Sequence, residues 1–162
     1  MEEYAAVPKE LISRHKFVSI AADVFFVDGI EFLLTVAIKL RFVTVENTPV
    51  LTTKSLVKHI KCVLQVYDRA GFTVRYIMID GEFEKVKEIL PTIVCNTTAA
   101  KEHVAEAERK IRVVKEQNRG VVNTHPFTYI PRRMKIEFIY FVTLWLNVFL
   151  VKSGVSETFC PR

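Results

Sequence analysis

The sequence predicts an α/β domain in which a mixed five-stranded sheet is flanked by helices and followed by an additional C-terminal helix. Three observations predict it: β-rich apolar runs near the front of the chain with a tight-turn signal between two of them, a later alternation of strand-like and helix-like segments, and an apolar tail that follows paired arginines. With 162 residues, half of them apolar and a quarter charged, the chain is long enough to bury one full core. It contains no internal repeat or low-complexity tract, and it divides into a lead-in over residues 1–16, a core over 17–131 and a helix with tail over 132–162.

The lead-in is polar, with one short amphipathic stretch. Apolar extended sequence begins at Phe17 and runs to Val27, where Asp28-Gly29 supplies the tight hairpin signal before a second strand over 30–36. A third strand is expected over 41–45, ending ahead of Asn47-Thr48-Pro49. Thr52-Thr53-Lys54-Ser55 then caps a helix whose apolar positions Leu56, Ile60, Val63, Leu64 and Tyr67 recur at helical spacing, and Gly71 ends it. Next come a strand over 72–80, a helical stretch over 82–90 stopped by Pro91, a short strand over 92–96, and a helix carrying Glu108. Three meandering strands followed by β/α alternation is the element order of the ribonuclease H-like fold.

The last apolar stretch, over 134–151, contains an uncharged part, 138–151, that is shorter than the roughly 20 residues a membrane span needs. It reads as a buried final helix, with no membrane contact expected. Cys62, Cys95 and Cys160 are few, odd in number and far apart, which suits an intracellular, reducing location. His59 and Cys62 have the spacing of two zinc ligands, but no second pair follows. Nucleophilic triad chemistry finds no serine or cysteine in a recognisable turn motif, and five scattered glycines make no phosphate-binding loop. A net charge of +5 favours an acidic partner such as nucleic acid.

Three acids stand out from this background. Asp23 lies inside the first apolar run, Asp80 ends the run over 72–80, and Glu108 lies in the basic helical segment Glu106-Ala107-Glu108-Arg109-Lys110-Ile111-Arg112. An ionised carboxylate in an apolar strand carries a large desolvation cost unless a cation or hydrogen bonds compensate it. In a sheet of this order the first strand is central and the strand ending at Asp80 lies beside it, so Asp23 and Asp80 project into one crevice that Glu108 can face. Three such carboxylates suit two hard divalent cations bridging a phosphate, one activating a water or sugar 3′-hydroxyl and the other stabilising the leaving oxygen.

On the helix, Val104, Ala107, Ile111 and Val114 make the expected buried stripe, while Glu108, Arg112, Lys115 and Arg119 recur beside it, an acid followed by cations suited to a phosphate backbone. The competing readings are a solvated helix face, an Asp80 that caps a following helix, and Glu102 or Glu106 in place of Glu108.

The run Ala22-Asp23-Val24-Phe25-Phe26, the segment Ile79-Asp80-Gly81-Glu82-Phe83 and the helix start Ala107-Glu108-Arg109-Lys110 together resemble the catalytic core of retroelement integrases, most closely the copia-like retrotransposon group. The resemblance extends over roughly residues 8–162 and includes Trp145-Leu146-Asn147 and the tail Lys152-Ser153-Gly154. It implies a ribonuclease H-like fold with a D,D,E triad of Asp23, Asp80 and Glu108 that uses two Mg2+ or Mn2+ ions. It also implies DNA 3′-end processing and strand transfer into target DNA by direct transesterification, with Lys110, Arg112 and Lys115 as DNA contacts, to which the helix ridge adds Arg119. Further implications are a multimeric enzyme cut from a polyprotein, acting in the nucleus or in an element-derived particle.

Where that group carries Asn after the second acid, this chain has Gly81, and its interval from Asp80 to Glu108 is shorter. It also lacks the paired His and paired Cys of the zinc-binding module that precedes such cores. The alternatives are accordingly a catalytically decayed relic that still binds nucleic acid and a ribonuclease H-like nuclease. The latter usually has an additional acid on its first helix, where this chain has only Asp68, near the far end.

Overall fold

Asp28 and Gly29 both take positive φ, 50° and 73°, the pairing that a two-residue hairpin turn matched to strand twist requires. The turn joins β1 (Phe17–Val27) to β2 (Ile30–Ala37), with Val27 opposite Ile30 and antiparallel pairing carried back to Ile20 and Ala37. This computed structural model describes residues 7–50, 52–79, 94–95, 100–149, 154–156 and 160. The expected helix over 82–90 and the second acid, Asp80, lie outside them.

The third strand, β3 (Val43–Asn47), pairs antiparallel with β2. It begins two residues later than the apolar pattern suggests, because Arg41 sits in a turn with φ of 59° and donates its backbone N–H to the Ala37 carbonyl. A lead-in helix, α1 (Lys9–His15), forms over the short amphipathic stretch. The helix α2 (Thr53–Arg69) starts from a reciprocal cap in which Thr52 Oγ1 accepts the Ser55 N–H and Ser55 Oγ accepts the Thr52 N–H, both at 3.2 Å. It ends before Gly71, whose φ of 84° turns the chain. A side chain there would also stand 3.4 Å from Ile12 Cδ1, so α1 closes against that turn.

From this turn β4 (Thr73–Ile79) runs parallel to β1, with Ala22 opposite Ile79. The two-residue β5 (Val94–Cys95) adds a parallel pairing along its far side, giving the order β3-β2-β1-β4-β5 with β1 central. The fold is thus mixed α/β, with four strands of five residues or more and four described helices, the last two being α3 (Ala100–Thr124) and α4 (Arg132–Val148).

The alternation of side chains along β1 divides the core into two layers. Val18, Ile20 and Ala22 pack with Leu56, Ile60, Val63 and Tyr67 of α2. On the other face Ala21 and Phe25 join Phe32, Leu34 and Met78 beneath Ala107, Ile111 and Val114 of α3 and Ile139 and Val142 of α4. Burial of each such large apolar side chain contributes about 1.5–3 kcal/mol.

The final helix is buried along one face only, which corrects the expectation of a buried final helix. Ile139, Val142, Thr143 and Asn147 are covered, whereas Phe141, Leu144 and Trp145 are between 41% and 47% exposed. Its covered face is pinned to the edge strand by polar groups. Asn147 Oδ1 accepts the Val43 N–H at 2.9 Å and its Nδ2 donates to the Val43 carbonyl at 2.6 Å, while Tyr140 Oη accepts the Asn47 N–H. Asn147 therefore satisfies a strand edge that would otherwise be left open. At the other end Lys135 Nζ lies 2.6 Å from Asp28 Oδ2 of the hairpin. Among the described residues no helix is long and apolar enough to cross a membrane.

Candidate active site

The site is built where β1, β4 and α3 meet. Asp23 falls between Ala22 and Val24, so strand alternation turns it to the same face as Ala21 and Phe25, the face that α3 covers. It is half-buried, and its Oδ1 accepts the Val24 N–H at 2.7 Å. The neighbour in the sheet is β4, whose last residue, Ile79, pairs with Ala22. Asp80 follows Ile79 in the chain and lies outside the described residues.

The two flanks of α3 differ, and neighbours on the sheet fix which is which. With Ala107, Ile111 and Val114 against the sheet, a period of 3.6 residues puts 106 and 110 on one flank and 108, 112, 115 and 119 on the other. The first flank faces the β2–β3 turn: Arg41 Nη1 donates to Glu106 Oε2 at 2.6 Å, and Glu106 Oε1 accepts from Arg109 at 3.2 Å. That is also the side on which α4 lies along β3. Glu108 therefore looks the opposite way, over the β1 and β4 side of the sheet, and it is exposed. Lys115 agrees with this assignment, with Nζ 5.9 Å from the centre of the Phe25 ring on β1.

These placements sort the residues singled out from the sequence. Asp23 and Glu108 stand on elements that converge, and Arg112, Lys115 and Arg119 share the flank of Glu108, with Arg112 and Arg119 exposed. Lys110 does not join them. It is half-buried beside Arg41 on the opposite flank, where burial above all, and then the Arg41 charge, lowers its pKa against the upward pull of Glu106. Glu106, weighed as a substitute third acid, is held by two arginines instead. Among the described residues no three His, Cys, Asp or Glu side chains stand together as a metal-holding group. Asp23 and Glu108 nonetheless supply hard carboxylate oxygens, the donor type that Mg2+ and Mn2+ take.

Sequence reasoning missed Arg41. The run Arg41-Phe42-Val43 reads as the head of the third strand, and no neighbouring residue signals either the turn at Arg41 or its contact with Glu106.

No family model and no curated protein sequence matches this chain. Among solved structures, the catalytic core domain of BIV integrase superposes with a TM-score of 0.60, covering 88% of this chain and 90% of that one at 15% identity. The chain has the fold of an integrase catalytic core. At this level of identity the likeness is one of architecture, and the chemistry has to be argued from the residues.

Proposed function

We propose that this chain is the catalytic core of a retroelement integrase of the copia-like group, acting on element ends and target DNA by 3′-end processing and strand transfer. The observation that carries the reading is the joint placement of Asp23 and Glu108. In a fold of the integrase-core type, one acid faces α3 from the central strand, beside the end of β4, and the other lies on the α3 flank that overlooks those strands. Asp80, next after Ile79, completes the proposed triad.

Bound Mg2+ or Mn2+, as a pair, would supply activation of the attacking water or 3′-hydroxyl and stabilisation of the leaving oxygen. The three carboxylates would hold those ions. Arg112, Lys115 and Arg119 track the phosphates that lead away from the scissile bond, since they continue along the helix in one direction from Glu108. In this reading the core acts as a multimer, in the nucleus or in an element-derived particle.

The first test is Mn2+ binding by titration calorimetry. Wild-type protein is expected to bind, and Asp23→Asn and Glu108→Gln to lose at least one ion. Glu116→Gln, on the exposed outer face of α3, should bind as wild type does. Equal binding by all four proteins would refute the assigned site.

A further inference from the structure

We infer that the Arg41–Glu106 ion pair is a positioning clamp that sets the rotation of α3 and so aims Glu108 at the crevice over β1 and β4. The inference rests on the reading of Glu108 as a site residue, and it assigns a role to two residues that no chemistry at the crevice requires.

Three features support it. First, Arg41 holds a left-handed backbone, φ 59°, a conformation that costs a non-glycine residue energy and persists only where the surroundings impose it. That conformation sits in the turn from which its guanidinium reaches Glu106, 65 residues further along the chain. Second, the pair is short, at 2.6 Å, and both side chains are only about a fifth exposed, at 22% and 21%. It is therefore better shielded from solvent than a surface bridge.

Third, the packed stripe of Ala107, Ile111 and Val114 holds α3 through non-directional apolar contacts, and the ion pair on one flank adds a directional polar restraint on its rotation. Glu106 and Glu108 are two residues apart, about 200° around the helix. A roll that withdraws Glu106 from Arg41 consequently swings Glu108 relative to Asp23.

The test compares Arg41→Gln, Arg41→Gly and Glu106→Gln with wild type in two measurements. Amide hydrogen exchange over residues 105–112 reads the clamp without any metal, and Mn2+ titration reads the site. All three variants are expected to exchange faster by about tenfold over that stretch, and to bind Mn2+ roughly tenfold more weakly. Arg41→Gly separates positioning from stability: glycine is at ease with a positive φ, so its melting temperature should exceed that of Arg41→Gln while its Mn2+ affinity falls equally.

Unchanged exchange in the variants would overturn the clamp whatever the metal does. Faster exchange with wild-type Mn2+ affinity would overturn the positioning role. A wild-type protein that binds no Mn2+ would overturn the metal site and the aiming of Glu108 with it, leaving the exchange data to decide the clamp alone.

Discussion

Single residues carry most of the chemical argument, and they differ in how openly the sequence shows it. Asp23 was conspicuous because an acid in an apolar strand demands an explanation, and the structure places it on the face that α3 covers. Arg41 was silent because its role depends on Glu106, a partner remote in sequence, and on a backbone conformation that no neighbouring glycine announces. Tyr67 illustrates a third case. Helical spacing correctly predicted that it would be buried, yet its hydroxyl finds no partner among the described residues, and burial raises its pKa far above the ordinary value of 10.0. An unfolded tyrosine ionises above that pH while the folded one keeps its proton, so the wild type should lose stability at about 1.4 kcal/mol per pH unit there. Tyr67→Phe should abolish that alkaline loss and be neutral or stabilising by about 1 kcal/mol at pH 7. Urea unfolding at pH 7 and at pH 10.5 or so checks both signs.

Elements were legible where local chemistry defines them. The Asp28-Gly29 hairpin, the α2 cap at Thr52 and the stop at Gly71 all arise from short-range backbone preferences, and each forms where the sequence suggested. Thr52→Ala should cost about 1 kcal/mol in urea unfolding through loss of the cap. The start of β3 was misplaced because a turn at Arg41 overrides the strand propensity of Phe42, and the strand begins at Val43. Half of α4 was misread for a related reason: its uncharged stretch, 138–148, is apolar on more than one face, and packing against β3 and α3 decides which face is covered. Asn147, which looks like an interruption of an apolar run, is the anchor. Asn147→Leu should cost about 2–3 kcal/mol, since it leaves the N–H and C=O of Val43 without partners. The measurement is again urea unfolding, with Leu144→Asn on the exposed face as a near-neutral control.

At the scale of the whole molecule, element order indicated the architecture because β1 at the centre and β4 beside it follow from a meander succeeded by a crossover. The stretch between Ile79 and α3 was expected to hold a strand tip, a helix and a short strand. Of these only Val94 and Cys95 are described, so the second acid rests on sequence alone. Net positive charge becomes a surface property once Arg112, Lys115 and Arg119 share one flank of α3 with Glu108. Replacing Lys115 and Arg119 with Ala should weaken duplex DNA binding irrespective of sequence and reduce the slope of log affinity against log salt by about 2, as fluorescence anisotropy over a salt series would show.

The central claim, that Asp23, Asp80 and Glu108 act together on DNA, is tested most directly by a disintegration assay on labelled branched DNA with Mn2+, comparing the wild-type chain with Asp80→Asn. The account predicts strand joining by the wild type and none by the variant, with unchanged far-UV circular dichroism. Equal joining by both proteins, or none by a well-folded wild type, would contradict it.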